Sequence, residues 1–177
     1  MNSAELHKPS GVAVYGASRS TIAPVYLEAA RRMGRLIARA GLTLVCGGGR
    51  GGMMAAAIDG AIEAGGPAVG VLPHFMIERD WADPRLTRTI DTPDMHIRKA
   101  TMASLSRAVV AMAGGIGTLD ELAEMMTWRQ LHLFAGSVII VNTEGFFDPL
   151  IEMFDRMTAQ GFMRPGGLPA VIVDTPE

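Results

Sequence analysis

The sequence predicts an α/β fold: a Rossmann-like, doubly wound parallel sheet in a single domain. Three observations carry that expectation. Short, almost wholly apolar runs rich in β-branched residues alternate with longer segments of helical periodicity. The 21 glycines cluster at the ends of those runs instead of spreading along the chain. The length of 177 residues, with 49% hydrophobic and 19% charged side chains, suits one domain whose core needs no disulfide or metal.

The elements follow in order. Residues 1–10 read as a flexible tail and residues 11–177 as the domain. Residues 11–15 (GVAVY), 42–46 (LTLVC), 68–72 (AVGVL), 108–113 (AVVAMA) and 138–141 (VIIV) read as strands, with 170–173 (AVIV) a short sixth. Apolar residues without alternation are what strands covered on both faces require. Leu27, Ala30, Met33, Ile37 and Ala40 recur at three- and four-residue spacing, so a first helix ends at Gly41. Further helices are expected at 53–64, closed by Gly65-Gly66, at 94–107 with Asp94 as N-cap, at 117–133 and at 149–160. Arg31, Arg35 and Arg39 form a basic stripe that reads as a solvated face. Residues 73–93 show no clear periodicity and read as a lid or binding loop. In such a sheet ligands sit beyond the carboxyl ends of the strands, at the switch point.

Composition excludes several classes. A net charge of -2 offers no basic field for nucleic acid. A single cysteine, Cys46, excludes an intramolecular disulfide framework and fits a reducing compartment. No apolar run approaches the ~20 residues of a membrane span, and the N-terminal stretch lacks the apolar core of a secretory signal. The expectation is a cytoplasmic protein. His7, His74, His96 and His132 show no metal-ligand spacing, so no metal or other cofactor is expected.

Three strand-to-helix turns carry the candidate chemistry. In Gly16-Ala17-Ser18-Arg19-Ser20, Ser18 could meet an anion, or the serines could cap the next helix. Gly47-Gly48-Gly49-Arg50-Gly51-Gly52 satisfies G-x-G-x-x-G. The acidic residue that a dinucleotide site wants about 20 positions on is absent, the first acid past the next strand being Glu78, so a mononucleotide phosphate near Gly48 and Gly49 is favoured over NAD. In the third, Gly114, Gly115, Ile116, Gly117 and Thr118 make a phosphate cradle of small residues and helix-start amides, without the Lys of a Walker A loop. Glu121 follows. Thr118-x-x-Glu121 has capping-box spacing, yet a carboxylate beside an anion cradle is repelled unless the ligand needs one. Upstream, Met95, Arg98 and Met102 share one helical face.

Met95-x-x-Arg98-Lys99-x-x-Met102 followed by Gly114-Gly115-x-Gly117-Thr118-x-x-Glu121 resembles the Lonely Guy (LOG) family, cytokinin riboside 5′-monophosphate phosphoribohydrolases, from about residue 11 to 162. The family usually has proline where this chain has Ala113; the turn is expected to survive that change. The resemblance implies hydrolysis of the N-glycosidic bond of an N6-modified AMP, with Arg98 and Glu121 as the catalytic pair. It implies nucleotide contacts from residues 115–118, Lys99 and Thr127, and from Glu78 in the loop before the Arg-Lys helix. It implies a homodimer or larger assembly with sites completed by a neighbouring subunit. Met53, Met54, Met76, Met95 and Met102 are candidates for lining a base pocket, or for core filler. Relatives labelled lysine decarboxylase do not set the expectation here: the chain has two lysines, Lys8 and Lys99, and Lys8 lies in the tail. The alternatives are a general AMP or nucleotide nucleosidase, and a non-catalytic nucleotide or molybdenum-cofactor carrier on the same fold.

Overall fold

A computed structural model of the chain describes residues 10–176. Strands β1 (Gly11–Tyr15), β2 (Thr43–Cys46), β3 (Ala68–Pro73), β4 (Arg88–Thr92), β5 (Ser106–Ala111), β6 (Ser137–Val141) and β7 (Val171–Val173) form one sheet in the order β4-β3-β2-β1-β5-β6-β7. Every pairing is parallel. The order reverses between β1 and β5, so that crevice is the switch point. Helices α1 (Pro24–Arg39), α2 (Gly52–Glu63), α3 (His74–Glu78), α4 (Met95–Ser104), α5 (Ile116–Gln130) and α6 (Asp148–Ala159) complete the chain. No helix among the described residues is long and apolar enough to cross a membrane.

Strand alternation assigns side chains to two cores. Val12 and Val14 of β1 pack with Leu44, Cys46 and Val110 under α1 and α2. Ala13 and Tyr15 point to the other face, with Val45, Val71, Met102 of α4 and Leu122 of α5. The inward end of β1 therefore delivers Tyr15 to the same side of the sheet as α4 and α5. The α1–α2 contact is made by glycine: a Cβ on Gly60 would collide with the backbone carbonyl of Arg31, and one on Gly34 with that of Ala57. Arg31 is clasped by Glu63, and Arg35 reaches Glu28 at 2.5 Å and Glu63 at 3.6 Å. Two members of the basic stripe thus tie helices together and are not simply solvated.

Element ends follow local chemistry. Pro24 opens α1 with φ already set, and Gly41 at φ +70° follows its end. Asp94 caps α4 by accepting from Ile97 N–H at 2.8 Å. Helix α4 stops at Ser104, three residues short of the expected end, because Ser106 already enters β5.

The largest departure is the segment after β3. It is not a structureless loop: it holds the short α3 and the strand β4, which pairs with β3 over five residues. Its sequence, Arg-Thr-Ile-Asp-Thr, hides the strand because an edge position leaves Arg88, Thr89 and Asp91 exposed. Gly60→Ala is expected to force the two backbones apart and to destabilise the protein by about 1–3 kcal/mol, the usual range for overpacking; urea denaturation followed by circular dichroism measures it.

Candidate active site

Three glycine-rich turns, after β1, β2 and β5, converge on one cleft of about 950 Å³ at the switch point. Backbone bonds fix them to one another. Ala17 N–H donates to Ala113 O at 3.0 Å, and Met53 N–H donates to Ala17 O at 2.8 Å. Gly52 N–H donates to Ser20 Oγ at 3.1 Å. The leading amides of α2 are thereby consumed inside the protein. The α5 terminus is different. Its N-cap is Gly115, and its first helical bond runs from Leu119 N–H to Gly115 O at 3.1 Å. The amides of residues 116–118 precede that bond, and all three residues border the cleft. A Cβ on Gly115 or Gly117 would meet no protein atom within 4 Å. This terminus turns N–H donors and the positive end of the helix dipole toward the cleft, the arrangement an anion would need.

One turn farther along α5 lies a buried ion pair. Arg98 of α4 donates from Nη1 to Glu121 Oε1 at 2.9 Å and from Nε to the Val71 carbonyl at 3.0 Å. The two side chains are only 9% and 12% exposed, yet both border the cleft. Gly47 is what allows the guanidinium this position, since a Cβ there would run into Nη2. Burial raises the Glu121 carboxyl above the ordinary carboxylate range, and the charge and hydrogen bond of Arg98 oppose that rise. Burial thus disfavours the ionised form of Glu121 and Arg98 favours it.

The structure brings together most residues singled out in the sequence. Ser18, Gly49, residues 114–118, Arg98 and Glu121 all border the cleft. Ala113 keeps its turn, its carbonyl accepting from Ala17. Glu121 is not a cap. The helix starts at Ile116, so Thr118 is its third residue, buried, and no side chain caps the terminus. Nor do the serines of the first turn cap α1, whose N-cap is Ala23. Gly48 turns away from the cleft: at φ +69° its N–H points to Cys46 Sγ at 3.4 Å. Burial pushes that thiol up to about 11. Met54, Met76 and Met95 border the cleft, whereas Met53 and Met102 are core.

Three residues that the family resemblance implicates lie elsewhere in the single chain. Glu78 is exposed on α3, 3.5 Å from His74 Nε2. Thr127 donates to the Ala123 carbonyl at 2.8 Å and faces a second groove between α5 and α6. Lys99 points along α5, with Nζ 3.0 Å from Asp120 and 3.1 Å from Glu124.

Sequence reasoning missed other contributors. Tyr15 ends β1, and burial, followed by the charge of Glu121, raises its phenol above the usual range, so it stays protonated beside the ion pair. Its signal was there: an aromatic residue at an odd position of an apolar strand. Asp83 is buried, bonded through Oδ1 to Arg85 Nε at 2.9 Å, while its N–H donates to Gly48 O at 2.8 Å. The Arg85 hydrogen bond holds its carboxyl below the usual range. Arg50 reaches Asp80 at 2.5 Å and the Ala82 carbonyl at 2.7 Å, which seats Trp81 at the cleft margin. No motif announces the Arg50 contacts, because they join residues 30 and 32 positions apart.

The family model described as "Possible lysine decarboxylase" matches residues 54–177. The cytokinin riboside 5′-monophosphate phosphoribohydrolase of Rhodococcoides fascians is 36% identical over 93% of this chain and 84% of its own length. The chain belongs to the LOG family. An Arabidopsis thaliana LOG relative bearing the same functional name is 33% identical over 87% of this chain and 71% of its own length. Among solved structures, the molybdenum cofactor carrier protein of Chlamydomonas reinhardtii is similar with a TM-score of 0.69 and 26% identity, covering 96% of this chain and 92% of that one. The decarboxylase label of the LOG family model has no support in the lysines. Lys8 lies outside the described residues, and Lys99 is held protonated: burial alone would lower its pKa, but bonds to Asp120 and Glu124 outweigh it and raise it. A Schiff-base lysine must be neutral to attack.

Removing one partner of the buried pair is expected to be costly. Arg98→Met leaves Glu121 buried without a counter-ion and lowers stability by about 3 kcal/mol at pH 7. The folded-state pKa of Glu121 lies above its unfolded value, so its contribution is most favourable at low pH and is lost as pH rises through the folded pKa. The variant raises that pKa further. Denaturation of both proteins from pH 4 to 8 is therefore expected to show a gap that widens with pH; a gap independent of pH contradicts the assignment.

Proposed function

We propose that this chain hydrolyses the N-glycosidic bond of an N6-modified adenosine 5′-monophosphate, releasing the free base, a cytokinin, and ribose 5-phosphate. One observation carries the reading: a buried, partnered carboxylate borders the same cleft as an open helix N-terminus, one turn away along α5. The phosphate sits at the amides of residues 116–118, remote from the bond that breaks, and its binding orients the sugar. Glu121, in the next turn of α5, faces the ribose. As the bond from C1′ to the base nitrogen breaks, positive charge grows on the sugar and Glu121 stabilises it. Water adds to C1′ as hydroxyl, and the proton it gives up ends on the base nitrogen released from C1′, so the base departs neutral. Arg98 keeps Glu121 ionised and supplies a fixed positive charge, since a guanidinium holds its proton throughout the physiological range. Met54, Met76, Met95 and Trp81 offer an apolar margin for the base and its substituent.

The sequence similarity to enzymes named for this reaction supports the proposal. So does the placement of both family-motif residues in one cleft. We place the protein in the cytoplasm, where the free, buried thiol of Cys46 is at home. We also propose a homodimer or larger assembly. Leu131 and Leu133 at the end of α5 are 60% and 69% exposed, and Phe162 beyond α6 is 79% exposed. A partner there would bring further residues toward the sites.

The likeness to a molybdenum cofactor carrier favours a second reading, a non-catalytic carrier. The amides of residues 116–118 would hold the phosphate of either kind of ligand. A carrier, however, has no use for a carboxylate kept charged at the expense of burial.

Incubation with a panel of nucleoside monophosphates, read by chromatography, tests the proposal. Free base and ribose 5-phosphate are expected, faster from isopentenyl-AMP than from AMP. Equal rates identify a general nucleotide nucleosidase, and binding without release identifies a carrier. Glu121→Gln is expected to fold and to lose about 10²-fold or more in turnover. Because the carboxylate is the working form and burial raises its pKa, kcat is expected to fall on the acid side through a pKa above the ordinary carboxylate range. A pH–rate profile with no acid limb above that range contradicts this role.

A further inference from the structure

The Arg98-Lys99 pair divides its work. Successive helical residues diverge by about 100° around the axis, so Arg98 enters the cleft while Lys99 runs along α5. Lys99 does not border the cleft, but Asp120, one of its partners, does. Asp120 lies two residues past Thr118, within one turn of the amides that face a phosphate, and its side chain is 57% exposed. Left alone, that carboxylate would repel any anion at the α5 terminus. Glu124, the other partner, stands one turn farther along and does not border the cleft.

We propose that Lys99 is a positioning residue for anion capture: its ammonium neutralises Asp120, so the cradle of residues 116–118 can accept a 5′-phosphate beside an acidic side chain. The proposal rests on the reading that this cleft binds a nucleoside monophosphate. Three features support it. Lys99 is only 12% exposed, so its ammonium has few water partners to exchange for the Asp120 carboxylate, which itself stays 57% exposed. It contacts two carboxylates at i and i+4 of α5, which lie on one helical face. Its charge is held by those two bonds against the opposing effect of burial. Fixing α4 to α5 needs only the Glu124 contact; the Asp120 contact is the one with a consequence inside the cleft.

The test is equilibrium binding of AMP, with adenosine as the probe lacking phosphate. Lys99→Met is expected to weaken AMP about tenfold, within the coupling range for residues of one network, and to leave adenosine unchanged. Asp120→Asn added to it is expected to restore AMP affinity to within about threefold of the starting protein, because the repulsive charge is gone. Glu124→Gln added instead is expected not to restore it. Lys99→Gln, which keeps a donor and loses only the charge, is measured in parallel and covers the case in which the Met variant does not fold. The proposal is overturned if loss of the Lys99 charge leaves AMP affinity intact, if Asp120→Asn fails to restore it, or if both second-site changes restore it equally. Release of ribose 5-phosphate is assayed separately. A protein that shows this binding pattern without hydrolysis refutes the enzymatic reading and upholds the role of Lys99.

Discussion

The site depends on one buried ion pair. Arg98 and Glu121 come from different helices and meet near the carboxyl ends of the central strands, each almost removed from water. A charge in that position is tolerated only with a partner and with its remaining donors satisfied. The Val71 carbonyl takes one of the arginine donors, and the missing side chain of Gly47 leaves room for another. Strand β3, the turn after β2, α4 and α5 are thus all committed to the position of a single carboxylate. Tyr15, brought to the same side by the register of β1, stays protonated because it is buried and, secondly, because that carboxylate is nearby.

The fold explains why such a pair can face a ligand. In a doubly wound sheet the turns after the strands gather where the strand order reverses. Here the turn after β2 spends the amides of Gly52 and Met53 on Ser20 Oγ and Ala17 O of the turn after β1, whose Ala17 amide in turn donates to Ala113 O. That mutual bonding makes a rigid wall and leaves the α5 terminus as the open donor set. Two G-rich turns that look alike as strings therefore do different jobs. The one after β2 leaves room for Arg98, and the one after β5 leaves its helix-start amides open to the cleft. The acidic side chains that border the cleft beside those amides are matched by cations from a single helix, Arg98 for Glu121 and Lys99 for Asp120.

The margin of the cleft is built from the segment that the sequence left without structure. Arg50 bonds to Asp80 and to the Ala82 carbonyl, and Asp83 bonds to the Gly48 carbonyl, so the stretch between α3 and β4 is fastened to the second glycine turn. Met76 and Trp81 reach the cleft by this route. The segment that read as a lid or binding loop lines the cleft and is hydrogen-bonded to the turn after β2.

Local chemistry was enough to determine the order of strands and helices, the apolar strands buried on both faces, the caps at Asp94 and Gly41, and the two motifs that hold Arg98 and Glu121. Periodicity and turn residues are properties of neighbouring positions, so they can be read from the chain. The edge strand β4 could not be, because an exposed edge permits polar side chains that carry no strand pattern. The role of Glu121 could not be either: its spacing from Thr118 fits a cap, and only the approach of α4, 23 positions away, makes it an ion-pair partner. The same holds for Lys99, Tyr15 and Asp83. Which groups lose water together, and therefore which charges must be paired, is decided by long-range packing, and only the tertiary structure contains it.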